Sequence, residues 1–212
     1  MDGFLIKHVA LKHGWYYFYR LHTVKLEGLC GNGFSNLRNY LEDTFKSCPN
    51  EFFEKGPRSS KLKIDLGIKP TEIKNHEVCQ LAEQGLATAH YGTAHSNVQM
   101  FMLQNDNKTI SMEVPIWLHP NEWTGFEKAF DSKDPLSGHI DVLRIEGDKV
   151  WVWDFKPKAD KEKYATTQTF FYAMMLSERS KIPLDKFMCG YFDEKTSFVF
   201  KPELSLTLNA RP

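Results

Sequence analysis

The residues with the most chemistry to offer are two aspartates and a lysine, Asp141 in GHIDVLRIE and Asp154 with Lys156 in WDFK. Asp154 and Lys156 are two apart, so on a strand both side chains point to one face while Trp153 and Phe155 point to the other. The stretch GHIDVLRIEGDKVWVWDFK reads as two strands joined at Gly147 and Asp148, a Gly-first pair suited to a two-residue hairpin. That turn sets Glu146 opposite Lys149 and, carried along the ladder, Asp141 opposite Asp154. Like charges so placed, with Cβ atoms about 5 Å apart, destabilise a sheet unless something compensates them. A divalent cation would do so: carboxylate oxygens suit Mg2+ or Mn2+, which keep positions open for water and for phosphate oxygens. With a lysine beside them to orient or deprotonate a nucleophile, these groups meet the needs of phosphodiester hydrolysis. Taken alone, a DxK triplet also reads as ordinary edge charges with a salt-bridging lysine.

The elements that must position these groups follow from periodicity. Residues 33–46 carry Phe34, Leu37, Leu41 and Phe45 at helical spacing, a cap or lid over the rest. Gly56, Pro57, Ser59 and Ser60 mark a loop, and a boundary near residue 65 separates an N-terminal extension, 1–65, from a core, 66–212. From Thr71 to Leu103 the pattern is helical, as one long helix or two broken near Gly92, with His95 on the stripe of Val98 and Met102. KTISMEVPIWL reads as a strand holding Glu113, and strands dominate from there to Lys156. KYATTQTFFYAMMLSERS is a helix that stops before Pro183, with Gln168 and Tyr172 on one face. FMCGYF and SFVFK then flank a turn at DEKT. Helix, three strands, helix, strand pair makes a mixed α/β (α+β) sandwich.

In this order GHID, WDFK and QTFFY, together with YGTAHSN upstream, resemble the GxxD, (D/E)xK, QxxxY and histidine motifs of RecB-like PD-(D/E)xK nucleases over roughly residues 85–200. The resemblance implies a restriction-endonuclease-like core with a central mixed sheet flanked by helices. It implies that His95, Asp141, Asp154 and the backbone carbonyl of Phe155 hold Mg2+ or Mn2+, with Glu113 joining the site and Lys156 positioning the attacking water. The histidine stands one residue closer to its glycine than the family pattern has it, so His90 competes with His95 for the ligand role. Gln168 and Tyr172 would organise the site and steer the strand. Apart from the resemblance, Lys158, Lys161 and Lys163 just past the site read as a track for a phosphate backbone, diluted by Asp160 and Glu162, or as a solvated loop. The activity so implied is a metal-dependent deoxyribonuclease acting as an exonuclease on single-stranded DNA or DNA ends. An RNA-directed endonuclease of the same fold and a non-cleaving nucleic-acid-binding derivative are the rival readings.

Composition bounds the rest. The 212 residues are 42% hydrophobic with 27 basic and 27 acidic side chains, so the chain folds around a core, and binding to nucleic acid must rest on local charge because no global positive field exists. Cys30, Cys48, Cys79 and Cys189 are far apart and lack CxxC spacing, which points to reduced thiols and to no iron–sulfur cluster. The aromatic N-terminal stretch is interrupted by Lys7, His8, Lys12 and His13, unlike a signal peptide or membrane helix, and an intracellular location is expected.

Overall fold

The computed structural model describes residues 5–31 and 33–204; the first four residues of the aromatic stretch and residues 205–212 of the expected core lie outside them. The chain runs β1(Ile6–His13), β2(Trp15–His22), α1(Thr23–Cys30), α2(Ser35–Lys46), β3(Thr71–Lys74), α3(Glu77–Thr88), α4(Ala94–Asn105), β4(Thr109–Leu118), α5(Phe126–Phe130), β5(Leu136–Glu146), β6(Lys149–Phe155), α6(Ala165–Ser180), β7(Phe187–Phe192) and β8(Thr196–Phe200). The eight strands form one mixed sheet in the order β1-β2-β4-β5-β6-β7-β8-β3. Only β6 and β7 pair in parallel, joined by the crossover helix α6, and the other neighbours are antiparallel. This is the mixed α/β layout expected from the sequence, a central mixed sheet flanked by helices.

The two faces of the sheet are covered by different helices. On one, Leu26, Leu37 and Leu41 of α1 and α2 join Phe170, Phe171 and Leu176 of α6 over Ile116, Leu143 and Val152. On the other, Val78 and Ala82 of α3 and Val98 and Met102 of α4 cover Val142, Trp153 and Phe155. Helix α6 is buried at every residue from Ala165 to Leu176, because its polar positions there are threonine, glutamine and tyrosine that find partners inside: Thr169 donates to the Ala165 carbonyl at 2.8 Å and Thr167 to that of Ile64 at 2.5 Å. No helix of the described residues is long and apolar enough to cross a membrane.

The hairpin register matches the turn chemistry: Gly147 adopts a positive φ of 60°, and pairing runs from Glu146↔Lys149 to Val142↔Trp153, one step short of the two aspartates. Elsewhere the structure corrects the reading. Thr71–Lys74, expected to be helical, is edge strand β3, paired with β8. The long helical stretch is two helices. Ala89, in the left-handed region at φ 46°, ends α3, and Thr93 caps α4 by accepting from the Ser96 amide. They pack closely at Gly85, where a Cβ would lie 2.8 Å from the Val98 Cα. The N-terminal aromatic stretch, to which periodicity assigned no element, is the β1–β2 hairpin that extends the sheet beyond β4.

Candidate active site

A cavity of about 230 Å³ opens where β4, β5 and β6 meet α4 and α6, and His95, Glu113, Asp141, Asp154, Lys156, Gln168 and Tyr172 all line it. Alternation along β6 sends Trp153 and Phe155 into the core under α3 and α4 and turns Asp154 and Lys156 to the cavity. The Lys156 ammonium stands 2.7 Å from Asp154 Oδ2, and Gln168 Nε2 donates to Oδ1 of the same carboxylate at 3.1 Å. The same Gln168 nitrogen lies 2.8 Å from the Tyr172 hydroxyl, the one-turn partner expected on α6. Asp141 accepts from the Phe155 amide at 3.1 Å through Oδ2, and His95 Nε2 lies 3.8 Å from that oxygen, its ring edge-on to Phe155.

Glu113 reaches the cavity by a backbone departure. Its φ is +51°, left-handed in the middle of β4, a conformation costing of order 1–3 kcal/mol for a residue with a side chain. Met112 packs with Met100 and Leu103 of α4, whereas Val114 enters the opposite core, so the strand exchanges faces at Glu113. Gln99, buried one turn beyond His95 on α4, donates to Glu113 Oε1 at 2.7 Å and lies 3.3 Å from the Asp141 carbonyl. The spacing of Gln99 from His95 was the one signal in the sequence for this residue.

Burial and mutual repulsion act on all three acids. Desolvation first, then the neighbouring carboxylates, pushes Asp141, Asp154 and Glu113 each up to about 7. Burial works against the Lys156 ammonium, but Asp154 and Asp141 outweigh it and hold its pKa above the usual lysine value. Burial lowers that of His95, with Asp154 opposing, which favours the imidazole form whose lone pair can bind a metal.

Part of the wall comes from the N-terminal segment. Tyr17, Arg58 and Ser60 line the cavity with His139 of β5. The Tyr17 ring stacks on His139 at 3.7 Å, His139 Nε2 lies 2.8 Å from His13 Nδ1, and His13 stacks on Phe53 at 3.9 Å. Arg58 is held by the carbonyls of His13 and Phe53. No local pattern of residues signals these contacts. Gly138, first residue of the GHID motif, is small for a visible reason: a Cβ there would strike Tyr172 and the Ser59 hydroxyl.

Other expected residues lie apart. His90 is exposed, edge-on to Tyr91, and Lys158 is exposed beyond the end of β6; neither lines the cavity. Two larger clefts, of about 570 and 560 Å³, hold charges already paired, Lys186 with Asp148 in one and Arg179 with Glu122 in the other.

The donor set suits a hard cation. Asp154 Oδ2 is buried without a hydrogen bond of proper geometry, and Lys156 is the one lysine or arginine within ion-pair distance of the three acids among the described residues, reaching Asp154 alone. They are open donors and no closed cage: no three His, Cys, Asp or Glu side chains of the described residues are gathered into a coordinating group.

The family model for the PD-(D/E)XK nuclease superfamily matches residues 70–206. No curated protein and no solved structure matches the chain.

Proposed function

Because the chain belongs to the PD-(D/E)XK nuclease superfamily, whose members generally hydrolyse phosphodiester bonds, we propose that it is a metal-dependent DNA nuclease of the RecB-like branch, acting as an exonuclease on single-stranded DNA or DNA ends. The observation that carries this reading is the convergence of Asp141, Asp154, Glu113 and Lys156 on one cavity, with Lys156 2.7 Å from Asp154. The link from Gln168 to both Asp154 and Tyr172 favours the RecB-like branch, since it ties the QxxxY pair to the acid of the DxK motif.

Asp141, Asp154 and the Phe155 carbonyl would hold the ion, Mg2+ or Mn2+, with His95 and Glu113 beside them. When bound, such an ion supplies Lewis acidity toward the phosphate and lowers the pKa of a water. Lys156, whose proton the aspartates favour, would position the attacking water and donate to the charge developing on the phosphate. Gln168 fixes the rotamer of Asp154, and Gln99 does the same for Glu113, so neither acid reorganises as charge develops. The His95 imidazole would offer a nitrogen donor, which favours Mn2+ over Mg2+.

The test is digestion of end-labelled single-stranded, double-stranded and circular DNA, and of RNA, with Mg2+ or Mn2+, by wild type and by Asp154→Ala and Lys156→Ala. Cutting that requires metal and disappears in both variants supports the nuclease reading, and sparing of circles supports an exonuclease. Folded protein that leaves every substrate intact overturns it, and cutting confined to RNA overturns the choice of DNA.

A further inference from the structure

The β1–β2 hairpin lies outside the residues matched to the family, and it carries a surface the site chemistry does not use. The register pairs Lys12 with Tyr16, Ala10 with Phe18 and His8 with Arg20, so these six side chains share one face of the hairpin. The opposite face holds Leu11, Tyr19 and Leu21 and is buried in the core. On the open face Tyr16 is 58% exposed and Phe18 45%, and Trp15 at the adjoining turn is 76% exposed. These are three of the seven large hydrophobic side chains found exposed among the described residues, clustered within four positions. Isolated exposed hydrophobics are ordinary, whereas a cluster of rings on an uncovered sheet face marks a surface for a partner.

The charge on this surface has one sign. Lys12 and Arg20 stand on the open face, and from Leu5 to His22 the chain contains no aspartate or glutamate, although the whole protein is neutral. The Arg20 guanidinium lies over the Phe18 ring, 5.3 Å from its centroid. Tyr16 and Phe18 are successive outward residues on one strand, about 7 Å apart, roughly twice the 3.4 Å repeat of stacked bases. Flat rings interleaved with cations suit an extended single strand, whose bases stack on the rings while its phosphates meet the cations. A folded acidic protein would use the cations and leave the rings without flat partners.

The surface also leads to the cavity. Arg20 pairs with Met112, the residue before Glu113, and Tyr17, which points to the face opposite Tyr16 and Phe18, lines the cavity with Asp141, so the strand need only cross the edge of the hairpin to reach the acids. From these observations we infer that the Tyr16–Phe18–Arg20 face of the β1–β2 hairpin is a stacking platform that holds single-stranded DNA and delivers it to the acid cavity. This rests on the nuclease reading for the destination of the strand, but the platform is testable without cleavage.

The experiment is fluorescence anisotropy of a dye-labelled oligothymidylate of about 16 nucleotides, long enough for one stacking groove, in EDTA, with an abasic oligomer of equal length as control. The expected result is that wild type prefers the thymidylate, and that Tyr16→Ala with Phe18→Ala together weaken its binding by about tenfold or more and abolish the preference. Tyr16→Trp should restore affinity in the Phe18→Ala background, which a merely structural role would not do. Lys12→Ala should weaken both oligomers alike and lower the slope of log affinity against log salt by about one. Equal binding by wild type and the double alanine variant overturns the platform, and so does a wild-type dimer that the double variant converts to monomer with DNA binding unchanged. Wild type that cuts DNA yet shows no base preference sinks the platform alone, whereas wild type that neither binds nor cuts DNA sinks both readings.

Discussion

Two residues, Val142 and Leu143, separate Asp141 from Arg144 on β5, and each of the two anchors a cluster of charge. Around Arg144, which is fully buried, stand Glu77 at 2.7 Å, Glu146 at 3.2 Å and Asp106 at 3.6 Å, with Lys108 on Glu77 at 2.7 Å and Lys25 on Asp106 at 3.6 Å. Three cations thus face three acids. Burial alone would raise the Glu77 pKa, but hydrogen bonds from Lys108 and Arg144 outweigh it and bring the carboxyl below its ordinary value. Around Asp141 the count is uneven, three acids to Lys156 and Arg58, the latter held by two backbone carbonyls, and all three acids are raised to about 7. The same strand therefore carries one cluster that closes on itself and one that keeps an excess of negative charge for something not supplied by the chain. Charge balance and depth of burial together separate the scaffold from the site: the Glu77 carboxylate is partly exposed, whereas Asp154 is buried.

Breaking either cluster should reveal the difference. The largest effect belongs to chemistry: Asp154→Ala should lower metal-dependent cleavage by about 10²–10³-fold or more with little loss of stability, read from initial rates on labelled DNA alongside a urea melt. Arg144→Met should do the reverse. Removing one partner from a buried network leaves uncompensated charge, and stability should fall by about 3–5 kcal/mol in urea unfolding. A stability loss from Asp154→Ala as large as that from Arg144→Met would erase the distinction.

Metal should act on one cluster only. Mn2+ at about 100 times its dissociation constant should stabilise wild type by about 2.7 kcal/mol and leave Asp141→Asn nearly unmoved, as read from thermal melts with and without EDTA. Arg144→Met, where it folds, should keep the wild-type response.

The smallest effect is a pH dependence with a definite sign. Glu113 ionises at about 7 in the fold against an ordinary 4.5, so the native state binds its proton more tightly than the unfolded chain does. Its protonated form is favoured in the fold at low pH, and that advantage disappears as pH rises from about 4.5 through 7. Glu113→Gln, which still accepts from Gln99, escapes this loss. In EDTA it should melt roughly 2–4 °C above wild type at pH 8, and the two curves should converge near pH 4.5. A difference of equal size at both pH values would mean that packing, and not charge, distinguishes the variant.

How far the chain could be read without coordinates is clearest at β5 and β6. The Gly147-Asp148 turn and the alternation of WDFK were enough to orient Asp154 and Lys156, because hairpin register and strand alternation are local rules. The same rules failed at Thr71–Lys74, whose pairing partner β8 lies more than 120 residues away, and at the N-terminal hairpin, whose aromatic residues alternate between a buried and an open face without an apolar–polar contrast. Gln168 and Tyr172 were visible as a helical pair, but not their burial, since threonine-rich α6 carries no strong amphipathic pattern.

By itself, then, the order of residues determined the hairpin, the face shared by Asp154 and Lys156, the helix that carries Gln168 and Tyr172, and the mixed α/β layout. Tertiary structure alone decided that His95 and not His90 reaches the cavity, that Glu113 turns into it through a left-handed residue in β4, and that Tyr17, Arg58 and His139 complete its wall. The physical reason is one of range. Turns and alternation are set by neighbours in the chain, whereas the excess of negative charge at Asp141 exists only because β4, β5 and β6 bring three carboxylates together while the cations of β5 and its surroundings are drawn into the Arg144 cluster.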